Sequence, residues 1–268
     1  MQAMTVFARN YGLRSCAALL LLLTLAACAA PVEQVKVFHK SVSDFRITGD
    51  MLIDELNEAI KLQAREKKRL NADFFPKDAA YFADGTDAGI AATYRKAMDA
   101  LEAYAALLLS LIDGSSAQAV TSQMVQLSQI VASTSQASHI SVATLALSPA
   151  ITHGAQFYMN QQARQFVAES ATNILGLLSE MREKTPQMYT ALYNLERRTR
   201  PADEVAASVR KRVSEFVIAL DRMSGLVTEI RGAFAQGGGD LSLSAVVNLA
   251  TALQDDLKAL RKAMASPK

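Results

Sequence analysis

The stretch "VSEFVIALDRMSGLVTEIRGAF", Val213 to Phe234, decides the fold. Its apolar residues Val213, Phe216, Leu220, Met223, Val227, Ile230 and Phe234 advance in steps of three and four, which lines them along one face of an α-helix over about three heptads. The same step recurs in Val246, Ala250, Leu253, Leu257, Leu260 and Met264 and in Tyr94, Ala97, Leu101, Tyr104, Leu108 and Leu111. Ala163, Val167, Ser170, Ile174, Leu177 and Met181 repeat it, and Ile53, Leu56 and Ile60 do so more briefly. A stripe of this kind is buried only against another surface, so five stripes on one chain mean helices packing on helices.

Punctuation between the stripes agrees. Ser148 before Pro149 and Thr185 before Pro186 read as N-caps followed by proline at the first helical position, and Pro201 with Asp203 and Glu204 opens a further helix with acids in its first turn. Asp113-Gly114 and Gly237-Gly238-Gly239-Asp240 read as turns. The basic groups Lys67, Lys68, Arg69 and Arg197, Arg198, Arg200 fall where helices should end and complement the helix dipole there. Helices are therefore expected near 42–70, 87–112, 116–147, 150–183, 186–198, 202–235 and 241–264. Such lengths with short connections imply an all-α, elongated antiparallel multi-helix bundle with coiled-coil-like packing. Only 12 Gly and 6 Pro in 268 residues, with no Trp, suit long helices better than sheet.

The aromatic-rich connection "DFFPKDAAYFADG" is the exception among the links. Phe74, Phe75, Tyr81 and Phe82 are expected to cap one end of the core, and a partner-binding loop is the sharper alternative.

Residues 1–27 read as a targeting segment. Arg9 and Arg14 supply positive charge, Ala17 to Leu25 is apolar apart from Thr24, and Ala26 and Ala27 are small. The apolar run is shorter than the roughly 18 residues that span hydrocarbon, which favours a signal peptide over a permanent helix anchor. The residues Leu25, Ala26, Ala27 and Cys28 resemble the lipobox of bacterial lipoproteins. The resemblance covers only about the first thirty residues; it implies that Cys28 becomes the mature N-terminus and carries a diacylglycerol thioether and an acylated amine, with acyl chains such as palmitate. About three acyl chains should anchor the protein firmly, since stable anchoring generally takes two lipid signals. The alternative is an ordinary secretory peptide cut nearby, leaving Cys28 as a stray thiol in an oxidising compartment. Ala29 is not the aspartate that retains many such lipoproteins in the inner membrane, so the resemblance implies an outer-membrane anchor facing the periplasm, with the inner membrane or the cell surface as alternatives.

The organisation expected is thus a leader at 1–27, a lipidated N-terminus and tether at 28–41, and a helical body at 42–268. Removing Arg9 and Arg14 with the leader brings the 28 basic residues down to 26, equal to the 26 acidic ones. A neutral body gives no electrostatic case for nucleic acid.

From Gly114 to Ala163 there is no Asp, Glu, Lys or Arg. Ser, Thr and Gln interrupt the apolar residues, and the stretch fails the length test for a membrane span on both sides of Pro149. Three readings stay open: a pair of helices at the centre of the bundle, an uncharged face for another protein, or a hairpin whose tip near Val142, Leu145, Leu147 and Ile151 touches a bilayer. His139 and His153 flank Pro149 but have no carboxylate or thiol beside them, an incomplete metal site.

Catalytic patterns are scarce. After the leader, Cys28 is the sole thiol, and Glu-x-x-His, His-Glu-x-x-His, Gly-x-Ser-x-Gly and glycine-rich phosphate loops do not occur. Ser208-Val209-Arg210-Lys211 fits Ser-x-x-Lys, but two specified positions without the companion motifs make no site. The acids Asp54 and Glu58 near Lys61, and Asp255 and Asp256 near Lys258, are spaced for solvated helix faces. The expectation is a non-catalytic protein with no cofactor or metal, held to a membrane by Cys28 and binding another protein of the envelope; the alternative is a membrane-active, pore-forming-like or lipid-remodelling protein that uses the uncharged 114–163 hairpin.

Overall fold

The computed structural model describes residues 5–68, 75–113, 115–134, 156–235 and 243–265, with side chains for 33–67, 75–130 apart from 112, 114 and 117, 168–232 and 244–265. Among these the regular structure is helical throughout: α1 Thr5–Lys68, a 3-10 turn Pro76–Asp78, α2 Ala79–Phe82, α3 Ile90–Ile112, α4 Ala117–Thr134, α5 Gln156–Glu183, α6 Thr185–Glu196, α7 Ala202–Ala235 and α8 Leu243–Ala265. The protein is an all-α bundle.

The stripes are the core. Val213, Phe216, Leu220, Met223, Val227 and Ile230 of α7 are buried, as are all six residues of the α8 stripe. On α3, Tyr94, Ala97, Leu101, Tyr104 and Leu108 are buried, and Ser170, Ile174, Leu177 and Met181 do the same for α5.

Five helices close a ring, with α1 packed on α3, α3 on α5, α5 on α7, α7 on α8 and α8 back on α1. Aromatic rings of three helices meet inside it. Phe45 stacks on Phe216 with centroids 6.1 Å apart, and Tyr94 meets the same ring edge-on at 6.0 Å. Further along, Phe38 and Tyr104 make an edge contact at 6.1 Å. Offset and edge-on pairs of this kind add about 0.5–1.5 kcal/mol each beyond their buried area. Outside the ring, α4 packs on α3, and α6 packs on α1 and α7.

Pairings between helices give their directions. Going up α1, Phe38 meets Tyr104, Arg46 meets Asp99 and Glu102, Asp50 and Asp54 meet Arg95, and Asn57 meets Ala88. Numbers that rise on one helix fall on the other, so α1 and α3 are antiparallel. Phe45 with Phe216 and Glu55 with Arg212 make α7 antiparallel to α1. Arg222 with Asp256, and Gly225 beside Leu249, make α8 antiparallel to α7. It follows that α8 runs in the same direction as α1, beside which it packs; Arg261 Nη1 donates to Thr48 Oγ1 across that pair at 3.0 Å.

Two expectations need correction. The packed body starts before residue 42: α1 is already helical there, and Gln34, Val35, Phe38 and Ser41 are buried, because Val35, Phe38, Val42 and Phe45 continue the apolar stripe backwards in steps of three and four. Thr185 does not act as a forward cap. Pro186 has no N–H to give the Arg182 carbonyl four residues back, and Thr185 Oγ1 donates to that carbonyl at 2.7 Å instead. The helix breaks at Lys184, and α6 goes on past the break as a separate segment.

Candidate functional site

The residues expected to act are distributed unevenly over what the structure describes. Leu25, Ala26, Ala27 and Cys28 lie within the first part of α1, of which the backbone alone is described. Phe74, Val142, Leu145, Leu147 and Ile151 lie outside the described residues, and so do His139 and His153. Phe75 is described, on the connection between α1 and α3.

That connection is held from below by a polar ladder on α1. Asn57, Lys61 and Arg65 are spaced four apart and so share one helix face. Asn57 exchanges two bonds with the connection, donating Nδ2 to Thr86 O at 3.1 Å and accepting from Ala88 N at 2.9 Å. Lys61 Nζ donates to Ala83 O at 2.8 Å, and Arg65 Nε to Tyr81 O at 3.3 Å. Thr86 Oγ1 closes the turn onto Ala80 O and Ala83 O, both at 3.0 Å. Gly85 and Gly89 have φ of 70° and 56°, a region that residues with a Cβ rarely adopt, and they let the chain reverse into α3.

Two of the four rings expected to cap the core do not do so; Tyr81 is half-buried, and Phe74 lies outside the described residues. The inner side of the connection is occupied by backbone carbonyls that the ladder satisfies, so Phe75 and Phe82 face outward, 48% and 42% exposed. Lys77 Nζ sits 5.7 Å from the centroid of the Phe75 ring. Lys61, expected on a solvated face, is 3% exposed.

A second cluster was not foreseen. Arg212 of α7 is only 2% exposed, and its guanidinium is shared by Glu55 of α1 at 2.6 Å and Glu196 at the end of α6. Arg200 Nη1 reaches the other oxygen of Glu196 at 3.4 Å. Three helices thus converge on one buried cation. A signal was present: Val205, Val209, Arg212, Phe216 and Ala219 continue the three-and-four step, with an arginine in an apolar place.

Between α1 and α3 runs an ion-pair network of a different kind. Arg46 pairs with Asp50, Asp99 and Glu102, and Arg95 with Asp50, Asp54 and Asp87, so Asp50 links the two arginines. Burial opposes the charge on Arg95, but its bonds to Asp87 and Asp54 and the nearby Asp50 outweigh that and hold the guanidinium above its usual range. Partly exposed pairs contribute little singly; a linked set across two helices fixes their register. The basic residues near helix ends play the expected part in one case, where Arg198 Nε donates to Asn194 O while its Nη atoms clasp the Glu66 carboxylate.

The charged groups pair with one another inside the fold, with Arg212 Nε buried and without a hydrogen-bond partner among the described residues, and Ser208 and Lys211 lie on the outer part of α7, half-buried and exposed. Among the described residues no three His, Cys, Asp or Glu side chains gather to hold a metal ion. Among the described residues no helix is long and apolar enough to cross a membrane. No family model matches the chain, and no curated protein or solved structure is significantly similar to it.

Proposed function

We propose that the protein is a lipoprotein of the bacterial cell envelope, anchored in a membrane through Cys28, whose helical body serves as a non-catalytic scaffold or accessory subunit for another envelope protein. The observation that carries the reading is Leu25-Ala26-Ala27-Cys28 placed directly after the apolar run Ala17–Leu25 and the basic Arg9 and Arg14. An outer-membrane anchor facing the periplasm follows from Ala29 in the same pattern.

The position of Pro31 supports processing at Cys28. Inside an uncut helix this proline removes a backbone bond and costs about 3 kcal/mol. In a chain that starts at Cys28 it falls in the first helical turn, where the N–H groups have no partner in any case, and the cost vanishes.

A scaffold is in keeping with polar clusters that join helices to one another. Metabolic labelling with an alkyne-bearing palmitate tests the anchor: the wild type should take up label, and Cys28→Ser should not. Crosslinking in the native membrane tests the second half, with one recurrent envelope partner as the expected result. An unlabelled wild type sinks the anchor, and a body that crosslinks to nothing under several mild conditions sinks the scaffold.

The charge-free stretch from Gly114 to Ala163 favours a second reading, a hairpin that acts on lipid. A form starting at Ala29 should then float with liposomes and make them leak, whereas a scaffold should stay in solution.

A further inference from the structure

Ile47 is the most exposed large apolar residue among those described, at 61%, and Met51, 48% exposed, follows it one turn further along α1 on the same face. That face points away from the core, into which Phe45, Leu52 and Leu56 are turned. On one flank α3 packs against α1 beside Arg46, Asp50 and Asp54, and on the other α8 packs beside Thr48.

The two flanks carry opposite charge. On the α3 side Asp50, Asp54, Asp87, Asp99 and Glu102 stand with Arg46, Arg95 and the exposed Lys96, five carboxylates against three cations. On the α8 side the exposed Lys258, Arg261 and Lys262 stand with Asp255, three cations against one carboxylate, while Asp256 is turned to Arg222 of α7. Each flank therefore has an excess of two charges, negative beside α3 and positive beside α8. On α1 itself Glu33 pairs with Lys36 and Lys40 with Asp44, so these cancel, and the exposed Glu58, two turns beyond Met51, bounds the patch at that end.

Both flanks are level with the apolar pair. Arg46, which meets Asp99 and Glu102, directly precedes Ile47, and Thr48, which accepts from Arg261, directly follows it. An apolar patch with one negative and one positive margin complements its own image. A two-fold axis parallel to α1 exchanges left and right at constant height, so the α3 flank of one copy faces the α8 flank of the other. An axis across α1 would set each flank against its like, at an electrostatic cost. Exposed apolar residues rimmed by charge are the usual mark of such a contact.

We propose that this face joins two copies of the chain side by side, with their α1 helices parallel. Ile47 and Met51 of each copy cover those of the other, and the carboxylates of each α3 flank oppose the cations of the facing α8 flank. The parallel order sends both N-terminal segments out at one end of the pair, the arrangement that two anchors in one membrane require. The pairing itself does not rest on the anchor.

The test follows the full chain, produced in bacterial cells and purified in a mild detergent, by sedimentation velocity. A dimer with Kd on the order of 10 μM is expected for a patch of modest area. Ile47→Glu, at a position too exposed to disturb the core, should weaken it about ten-fold or more with unchanged circular dichroism. Lys258→Glu and Glu102→Lys should each weaken the dimer, and the two together should recover most of the loss, since they exchange charge across the contact. Lys40→Cys, Ile47→Cys and Asp54→Cys, all at exposed positions on one helix face, should each form a disulfide with the same position of the second copy on oxidation, with the parent chain as control for its own thiols. A chain that stays monomeric up to about 100 μM overturns the proposal, as does a dimer that Ile47→Glu leaves intact. Disulfides at one level only overturn the parallel order, and an Ile47→Cys variant that links to a different protein in place of its copy gives the face to that protein and overturns the pairing.

Discussion

Replacing Arg212 by alanine should unfold the junction of α1, α6 and α7 more readily than any surface change. The guanidinium is 2% exposed and gives one amino group to Glu55 and the other to Glu196, which is itself 10% exposed. Removing one partner of a buried ion pair costs about 3–5 kcal/mol, because the other is left charged without compensation. Here the loss should lie toward the lower half of that range, about 3–4 kcal/mol, because Glu196 keeps Arg200 at 3.4 Å and Glu55 has enough exposure to regain some water. For a domain of this size that is a fall in melting temperature of about 6–16 °C. Urea unfolding followed by circular dichroism measures it. The double variant Arg212→Met, Glu196→Leu removes both deeply buried charges while keeping volume, and should recover stability to within about 1 kcal/mol of the parent. A loss below about 1 kcal/mol for Arg212→Ala, or a double variant as weak as the single one, would refute a buried cluster.

The other predictions concern single side chains. The Tyr104 hydroxyl is buried with no hydrogen-bond partner among the described residues, so Tyr104→Phe should leave stability unchanged or raise it by up to about 1 kcal/mol, whereas Tyr94→Phe, which loses the 2.7 Å bond to Met181 O, should cost about 1 kcal/mol; equilibrium unfolding at neutral pH compares them. Burial pushes the hydroxyls of both tyrosines well above their ordinary value, so the folded state keeps protons that the unfolded chain releases above about pH 10; stability should fall from there by about 1.4 kcal/mol per pH unit for each, and the Tyr94→Phe, Tyr104→Phe double variant should show a flatter profile in urea series at pH 9 to 11. A Cβ at Gly176 meets nothing within 4 Å, while one at Gly49 comes to 2.5 Å from Met98 Cε, so Gly176→Ala should stabilise by about 0.5–1 kcal/mol and Gly49→Ala should gain less; a thermal melt of each decides. Lys61→Met should leave Ala83 O with Thr86 Oγ1 as its remaining donor and loosen the connection above it, read as faster limited proteolysis between Lys77 and Asp87 with little change in global melting.

The bundle was readable from the sequence because its helices bury stripes that alternate by three and four, and a stripe is a local signal. Pro201 followed by Asp203 and Glu204 was enough to start α7 at Ala202, since those acids complement the helix N-terminus. What was not readable depends on partners distant in sequence. Arg212 needs carboxylates 157 and 16 residues away, and Lys61 needs a carbonyl 22 residues away, before either can be buried. Phe75 and Phe82 misled because hydrophobicity alone predicts an inward face, whereas the inward side of their connection is taken by carbonyls that need donors. Thr185 misled through chemistry that serves either direction: the hydroxyl that could cap a following helix was needed by the carbonyl that Pro186 abandoned.

An odd number of helices in a closed ring cannot alternate throughout, and the mismatch falls between α1 and α8, which lie side by side and run the same way. A pull between the start of α1 and the end of α8 therefore acts at opposite ends of the bundle and slides the two helices past each other along their whole contact. Every buried layer between them, and the Arg261–Thr48 bond, would have to yield together. A reversed neighbour would instead have been peeled open one turn at a time.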